Sequence, residues 1–131
     1  MPAVPIVPAL ALVFAGGGAG ACLRYLTGRL ALALFGPGYP WGTLAANLLG
    51  GLAMGCLAGW LAFRSGPEQV RLLLGVGVLG GFTTFSSFGN DTMNLFRDGE
   101  TVNALANIGA NVILGLALVW LGRTVACWIW K

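Results

Sequence analysis

The charged residues of this chain are segregated, and that leaves little freedom in what the chain can fold into. Residues 1–23, 30–63, 72–90 and 101–122 contain no Asp, Glu, Lys or Arg, so the uncharged stretches run from 19 to 34 residues. A helix needs about 20 predominantly apolar residues to cross the hydrocarbon of a bilayer. Four crossings consume nearly all of the 131 residues, and the polar segments between them are too short to hold a soluble domain. Only 8% of the residues are charged and 57% are apolar, whereas soluble domains carry about 25% charged residues. The expectation is an all-α membrane protein. It is a single domain over residues 1–131, with four transmembrane helices at about 8–34, 41–63, 69–96 and 101–128 embedded in a lipid bilayer.

The same composition excludes several function classes. There is no His, so histidine-based acid–base, nucleophilic or zinc chemistry is absent. Cys22, Cys56 and Cys127 lie singly in three different apolar stretches, a spacing that gives neither a disulfide framework nor a metal motif. The net charge is +3, with the basic residues scattered, so no basic patch marks a nucleic-acid partner. A cleaved signal peptide requires a basic leader, and no Lys or Arg precedes Arg24. The first stretch is therefore expected to remain as a helix, starting at Pro8, where a missing N–H does no harm.

Within the apolar stretches the polar and small residues are periodic. Gly16 and Gly20 form a small-residue face that admits close helix contact. Thr43, Asn47, Gly51, Gly55 and Gly59 recur every four residues, as do Asn103, Asn107, Asn111 and Gly115, and such spacing places each set on one helix face. An amide in the hydrocarbon zone needs a partner, whether a helix, a water or a ligand. Arg24 lies deeper than an interfacial anchor such as Arg29. An ionisable residue inside a membrane segment is a functional candidate, with snorkelling as the alternative. The densest polar stretch is residues 80–91, Gly-Gly-Phe-Thr-Thr-Phe-Ser-Ser-Phe-Gly-Asn-Asp. A helix that carries this load in a bilayer is expected to be broken or to line something polar. Asp91 has no evident role.

Four spans put both termini on one side with Arg64 and Arg71, while Arg29 and Arg97 face the other. The bias in Lys and Arg is small, which permits insertion in both orientations and suggests an oligomer with antiparallel subunits. Three readings fit these features. A small dual-topology multidrug-type transporter needs a carboxylate buried in its first helix, but the first acid here is Glu68, in a loop. A non-transporting membrane assembly subunit explains the glycines and leaves the polar stripes unexplained. A passive anion pathway explains the stripes. Hydroxyls and amides offer donors without a fixed charge that would trap an anion, and phenylalanine rings present electropositive edges.

Three segments carry a resemblance to a known family. Gly17-Gly-Ala-Gly-Ala-Cys-Leu-Arg24-Tyr25, Trp41-Gly-Thr-Leu-Ala-Ala-Asn47-Leu-Leu-Gly50 and Gly80-Gly-Phe-Thr-Thr-Phe-Ser-Ser-Phe88 resemble, in order, the signatures of the CrcB/Fluc fluoride channels. The resemblance implies an antiparallel, dual-topology homodimer in the inner membrane of a prokaryote, with no enzymatic activity. Each dimer would hold two pores that export toxic fluoride ion passively. It implies that Phe85 and Phe88 turn their rings to fluoride, with Asn47, Thr83, Thr84 and Ser87 along the path and Arg24 near the pore entrance. Main-chain carbonyls of Gly80 and Thr83 from both copies would hold a structural sodium ion, and no organic cofactor is implied. Asn107 and Asn111 stand where the family usually has Tyr and then Ser. With Thr43 they complete the expected fluoride pathway as hydrogen-bonding positions.

Overall fold

The computed structural model describes residues 3–131; Met1 and Pro2 lie outside the described residues. Among the described residues, four helices are long and apolar enough to cross a membrane: Ile6–Phe35, Trp41–Arg64, Glu68–Arg97 and Thr101–Trp130. The first two are α1 and α2. The third span divides into α3, residues 68–82, and α4, Phe85–Arg97, and the fourth span is α5. The connections are tight. Gly36 and Gly99 take the left-handed backbone, with φ of 75° and 79°, and so does Ser65, with φ of 48°.

Two helix boundaries differ from the sequence expectation. α1 begins at Ile6 rather than Pro8. Pro8 falls in the first turn, where backbone N–H groups have no intrahelical acceptor, so its missing donor costs nothing there. The break in the third span, expected over Gly80 to Thr83, lies at the end of that stretch, at Thr83–Thr84. Residues Gly80–Phe82 remain helical, and the extended backbone comes after them, with ψ of 155° at Thr83 and φ of −151° at Thr84.

The glycine stripes determine the packing. α1 lies against α3, and α2 lies along α5. A Cβ added to Gly16 or Gly20 would collide with the backbone of α3, at Leu73 O and Val78 O. A Cβ on Gly55 would strike Val119 O, and one on Gly122 would strike Leu52 O. From Asn47 to Gly59 the polar and small stripe of α2 is thus the seam with α5, and its glycine half works by letting two backbones approach. Two stretches depart from α geometry: Arg71–Leu79 in α3 and Ala110–Leu114 in α5 are π-helical. Such wide turns recur at functional positions, and both flank the broken segment. The outer surface is apolar, with Phe14, Leu34, Ile113 and Trp120 exposed.

Candidate functional site

The break is held open by one side chain. Thr83 N–H closes the last backbone bond of α3, to Leu79 O at 3.0 Å. The next donor, Thr84 N–H, turns instead to Oδ1 of Asn47 at 2.7 Å, and Asn47 Nδ2 donates to Thr84 O at 3.0 Å. The Asn47 carboxamide thus replaces both helix bonds that Thr84 gives up. A backbone freed inside a membrane segment must find such a partner. The Thr83 hydroxyl supports the ending by donating to Leu79 O at 2.9 Å. Gly50 makes room for the bend, because a Cβ there would meet Thr83 Cγ2 and the Phe82 ring. The chain then re-enters a helix at Phe85, and the Thr84 hydroxyl caps it by accepting from Ser87 N–H at 3.1 Å. A threonine N-cap satisfies one of the unpaired donors of a first turn.

From Asn47 a line of amides leads along α5. Asn47 Nδ2 donates to Asn111 Oδ1 at 2.8 Å. Asn111 Nδ2 donates to Asn107 O at 2.9 Å and to Asn107 Oδ1 at 3.1 Å. Asn107 is fully buried, with 0% exposure, and donates to the Thr92 hydroxyl at 3.0 Å. Thr92 donates to Phe88 O at 2.8 Å. Buried side-chain donors and acceptors in this region are all paired, as the cost of desolvation requires.

Beside this line runs an open groove of about 450 Å³, lined by Asn47, Thr83, Thr84, Phe85, Phe88 and Asn111 with apolar residues of α5. No charged side chain lines it. The two rings meet edge to face, with centroids 5.5 Å apart and planes at 64°. Phe85 is 82% exposed and Phe88 only 8%, so one ring projects into the open groove and the other forms its wall. The N-terminus of α4 opens at the same place. Its first N–H groups lack intrahelical acceptors and carry the positive end of the helix dipole.

Of the residues predicted from sequence, Asn47, Thr83, Thr84, Phe85, Phe88 and Asn111 come together at the groove. Asn107 lies beneath it, engaged with Thr92 and Asn111. Ser87 contributes its backbone N–H to the Thr84 cap and is absent from the groove lining. Thr43 sits one turn further toward the loop side and donates to Asp91 at 2.8 Å. That pair lines a separate cavity of about 330 Å³, with Gly28, Tyr39 and Trp41. Burial raises the Tyr39 phenol above its ordinary pKa. Arg24 is half-buried and makes no hydrogen bond or ion pair with the described residues. The carbonyls of residues 80–83 receive no backbone N–H from across the break among the described residues. Gly80 itself is exposed at mid-span. Main-chain oxygens are of the donor type that hard cations take. Among the described residues no cluster of acids, Cys or His could hold a metal by side chains.

Thr92 and Asp91 have no place in the sequence reading. The signal for Thr92 was present: Thr84, Phe88 and Thr92 fall four apart on one helix face. Nothing in the sequence pairs Asp91 with Thr43, which is 48 positions away.

A family model described as "CrcB-like protein, Camphor Resistance (CrcB)" matches residues 11–123. The chain belongs to the CrcB family. Among curated relatives, a protein of Novosphingobium aromaticivorans named "Fluoride-specific ion channel FluC" is 50% identical over 119 residues, covering 89% of this chain and 94% of the relative. One of the same name from Caulobacter sp. (strain K31) is 49% identical, covering 89% and 93%. A third, from Sphingopyxis alaskensis, is 52% identical over 103 residues, 77% of this chain and 81% of the relative. The CrcB match includes the Asn47 helix, the broken span and the amide line, which together form the groove.

Proposed function

We propose that this chain is a fluoride-selective channel that lets toxic fluoride leave the cell passively along the groove at the helix break. The observation that carries the reading is the junction at Thr84–Phe88. There a helix N-terminus, two ring edges and a capped break meet in a groove with no charged side chain. The relatives' printed name points the same way.

A small anion entering such a groove loses a hydration energy of nominally tens of kcal/mol in a dry medium. Only dense, close donors offset that. The α4 N-terminus supplies backbone N–H groups and a positive partial charge. The edge-to-face rings supply electropositive hydrogens without fixed charge. The lack of a lining cation matters as much, because conduction requires binding weak enough to be left again. The proton-coupled transporter reading lacks its coupling group here. Asp91 is tied to Thr43 toward the loop side rather than standing in the groove.

The channel is an antiparallel homodimer inserted in both orientations, with one groove per subunit and therefore two pores. The freed carbonyls at residues 80–83, including Gly80 and Thr83, hold a structural sodium ion where two copies meet. A two-fold interface brings the same oxygens together from both sides. The ion supplies positive charge to carbonyls that would otherwise stay unpaired in the membrane.

The decisive experiment is fluoride efflux from liposomes containing the purified protein, followed with a fluoride electrode. Efflux far above protein-free liposomes is expected. Folded protein that releases no more than the empty liposomes would remove the channel reading.

A further inference from the structure

The amide line and α4 form a closed hydrogen-bonded frame, and Phe85 and Phe88 stand on its α4 side. One side is the helix, from Thr84 through Phe85 and Phe88 to Thr92. The other side is Asn47, Asn111 and Asn107, contributed by α2 and α5. The frame is pinned at both ends: Asn47 holds the backbone of Thr84, and Asn107 holds the hydroxyl of Thr92 at 3.0 Å. Asn111 joins the two pins, at 2.8 Å to Asn47 and 3.1 Å to Asn107.

Apart from the bond that Asn47 returns to the Thr84 carbonyl, the donors follow one another in sequence. Thr84 N–H gives to Asn47, Asn47 to Asn111, Asn111 to Asn107, Asn107 to Thr92, and the Thr92 hydroxyl to the Phe88 carbonyl. The orientation of each carboxamide is therefore fixed by its neighbours. Asn47 Nδ2 and Asn111 Nδ2 each donate to two protein acceptors, which occupies the donors that two of the sequence-predicted pathway residues would offer an anion. In this arrangement the amides act on the rings rather than on the ion.

We propose that Asn107, through Thr92, is a positioning residue that fixes the rotation of α4 about its axis and so the aim of the Phe85 and Phe88 rings into the groove. The proposal rests on the channel reading above. Phe88 and Thr92 are one turn apart on the same face of α4, so a pin at Thr92 sets where Phe88 points. Asn107 is fully buried and does not itself line the groove, which it reaches only through Asn111 and Thr92 of the frame. A substitution there can alter conduction only by way of the frame.

The test compares Thr92→Val, Thr92→Ser, Asn107→Val and the double variant Thr92→Val/Asn107→Val with the unmodified chain in liposomes. Valine matches threonine in shape and removes the hydroxyl, while serine keeps it. Thr92→Val and Asn107→Val are each expected to slow fluoride efflux at least about tenfold, the factor that corresponds to about 1.4 kcal/mol. The double variant should be no slower than either single one, because both break the same link. Thr92→Ser should stay close to the unmodified chain. A reversal potential measured between fluoride and chloride should show selectivity falling in the valine variants and kept in Thr92→Ser. A packing role alone would not produce that pattern. A ¹⁹F resonance from fluorophenylalanine at position 88 should shift in Thr92→Val and not in Thr92→Ser, a readout that needs no conduction.

Unmodified protein that conducts, with both valine variants matching it in flux and selectivity, overturns the positioning role and leaves the channel intact. Single effects that multiply in the double variant overturn it too. An unmodified chain that conducts no fluoride removes the channel reading itself, and an unmoved resonance in Thr92→Val then removes the frame as well.

Discussion

Asn47 is the residue on which the site turns, because its one carboxamide satisfies two backbone groups of Thr84 and one side chain of α5. Replacing it with Ala leaves both Thr84 backbone groups unpaired at a buried residue, each costing about 1–3 kcal/mol. Asn47→Ala is therefore expected to lower the thermal unfolding temperature in detergent and to abolish efflux. A variant with unchanged melting and flux would show that the break is held by something else. The two phenylalanines separate differently. Phe85 is exposed and Phe88 is buried, so Phe85→Ile should slow fluoride with little change in stability. Phe88→Ile should slow fluoride and also destabilise, by about 1–3 kcal/mol for a reshaped core position. Unchanged flux in both would leave the rings as space-filling residues. At this scale, six of the residues singled out in the sequence line one groove. The sequence did not reveal that Asn107 lies beneath the groove, because periodicity reports a shared face and says nothing of depth. The burial of Asn107 depends on how α5 sits against α4, which only tertiary packing decides.

The helical elements were legible from charge-free length, and their ends fell within a few residues of expectation. The position of the break was not. A Gly-Gly pair suggests a weak point, yet Gly80 and Gly81 stay helical, with Gly81 close against Gly17 O. The helix ends where side chains compete for its bonds, at Thr83 and Thr84. The π-helical stretches at Arg71–Leu79 and Ala110–Leu114 have no sequence signature either, since hydrophobic periodicity assumes a regular turn. Gly50 tests the element directly. Gly50→Ala would push a Cβ into Thr83 Cγ2 and the Phe82 ring, and overpacking of this kind costs about 1–3 kcal/mol. Reduced efflux is expected, with Thr83→Ser in the same chain partly restoring it by removing the methyl that is struck. No restoration would mean that the strain is relieved elsewhere.

For the whole molecule, the small difference in Lys and Arg between the two faces is the basis of the proposed dual insertion. A reporter at the C-terminus of the protein in sealed vesicles should be accessible from both sides in comparable amounts. Finding every reporter on one side would defeat the antiparallel pair. The proposed sodium ion can be tested by exchange. Anything that binds the assembled state stabilises it by mass action, so purification with a bulky organic cation in place of sodium should lower the melting temperature of the dimer and its flux, and returning sodium should restore both. Equal behaviour in the two salts would remove the ion.

The amide line bears on the assembly's electrical behaviour. Four of its links lead from the break toward the loop side, and only the short returns of Thr92 to Phe88 O and of Asn47 to Thr84 O oppose them, so each copy of the chain carries a net polarity along the membrane normal. A single pore with such a polarity would pass current more easily in one direction. In the antiparallel pair proposed above, the second copy carries the same polarity upside down, and the two preferences cancel. The assembled channel is then a conductor without rectification, and its current–voltage curve is symmetric about zero.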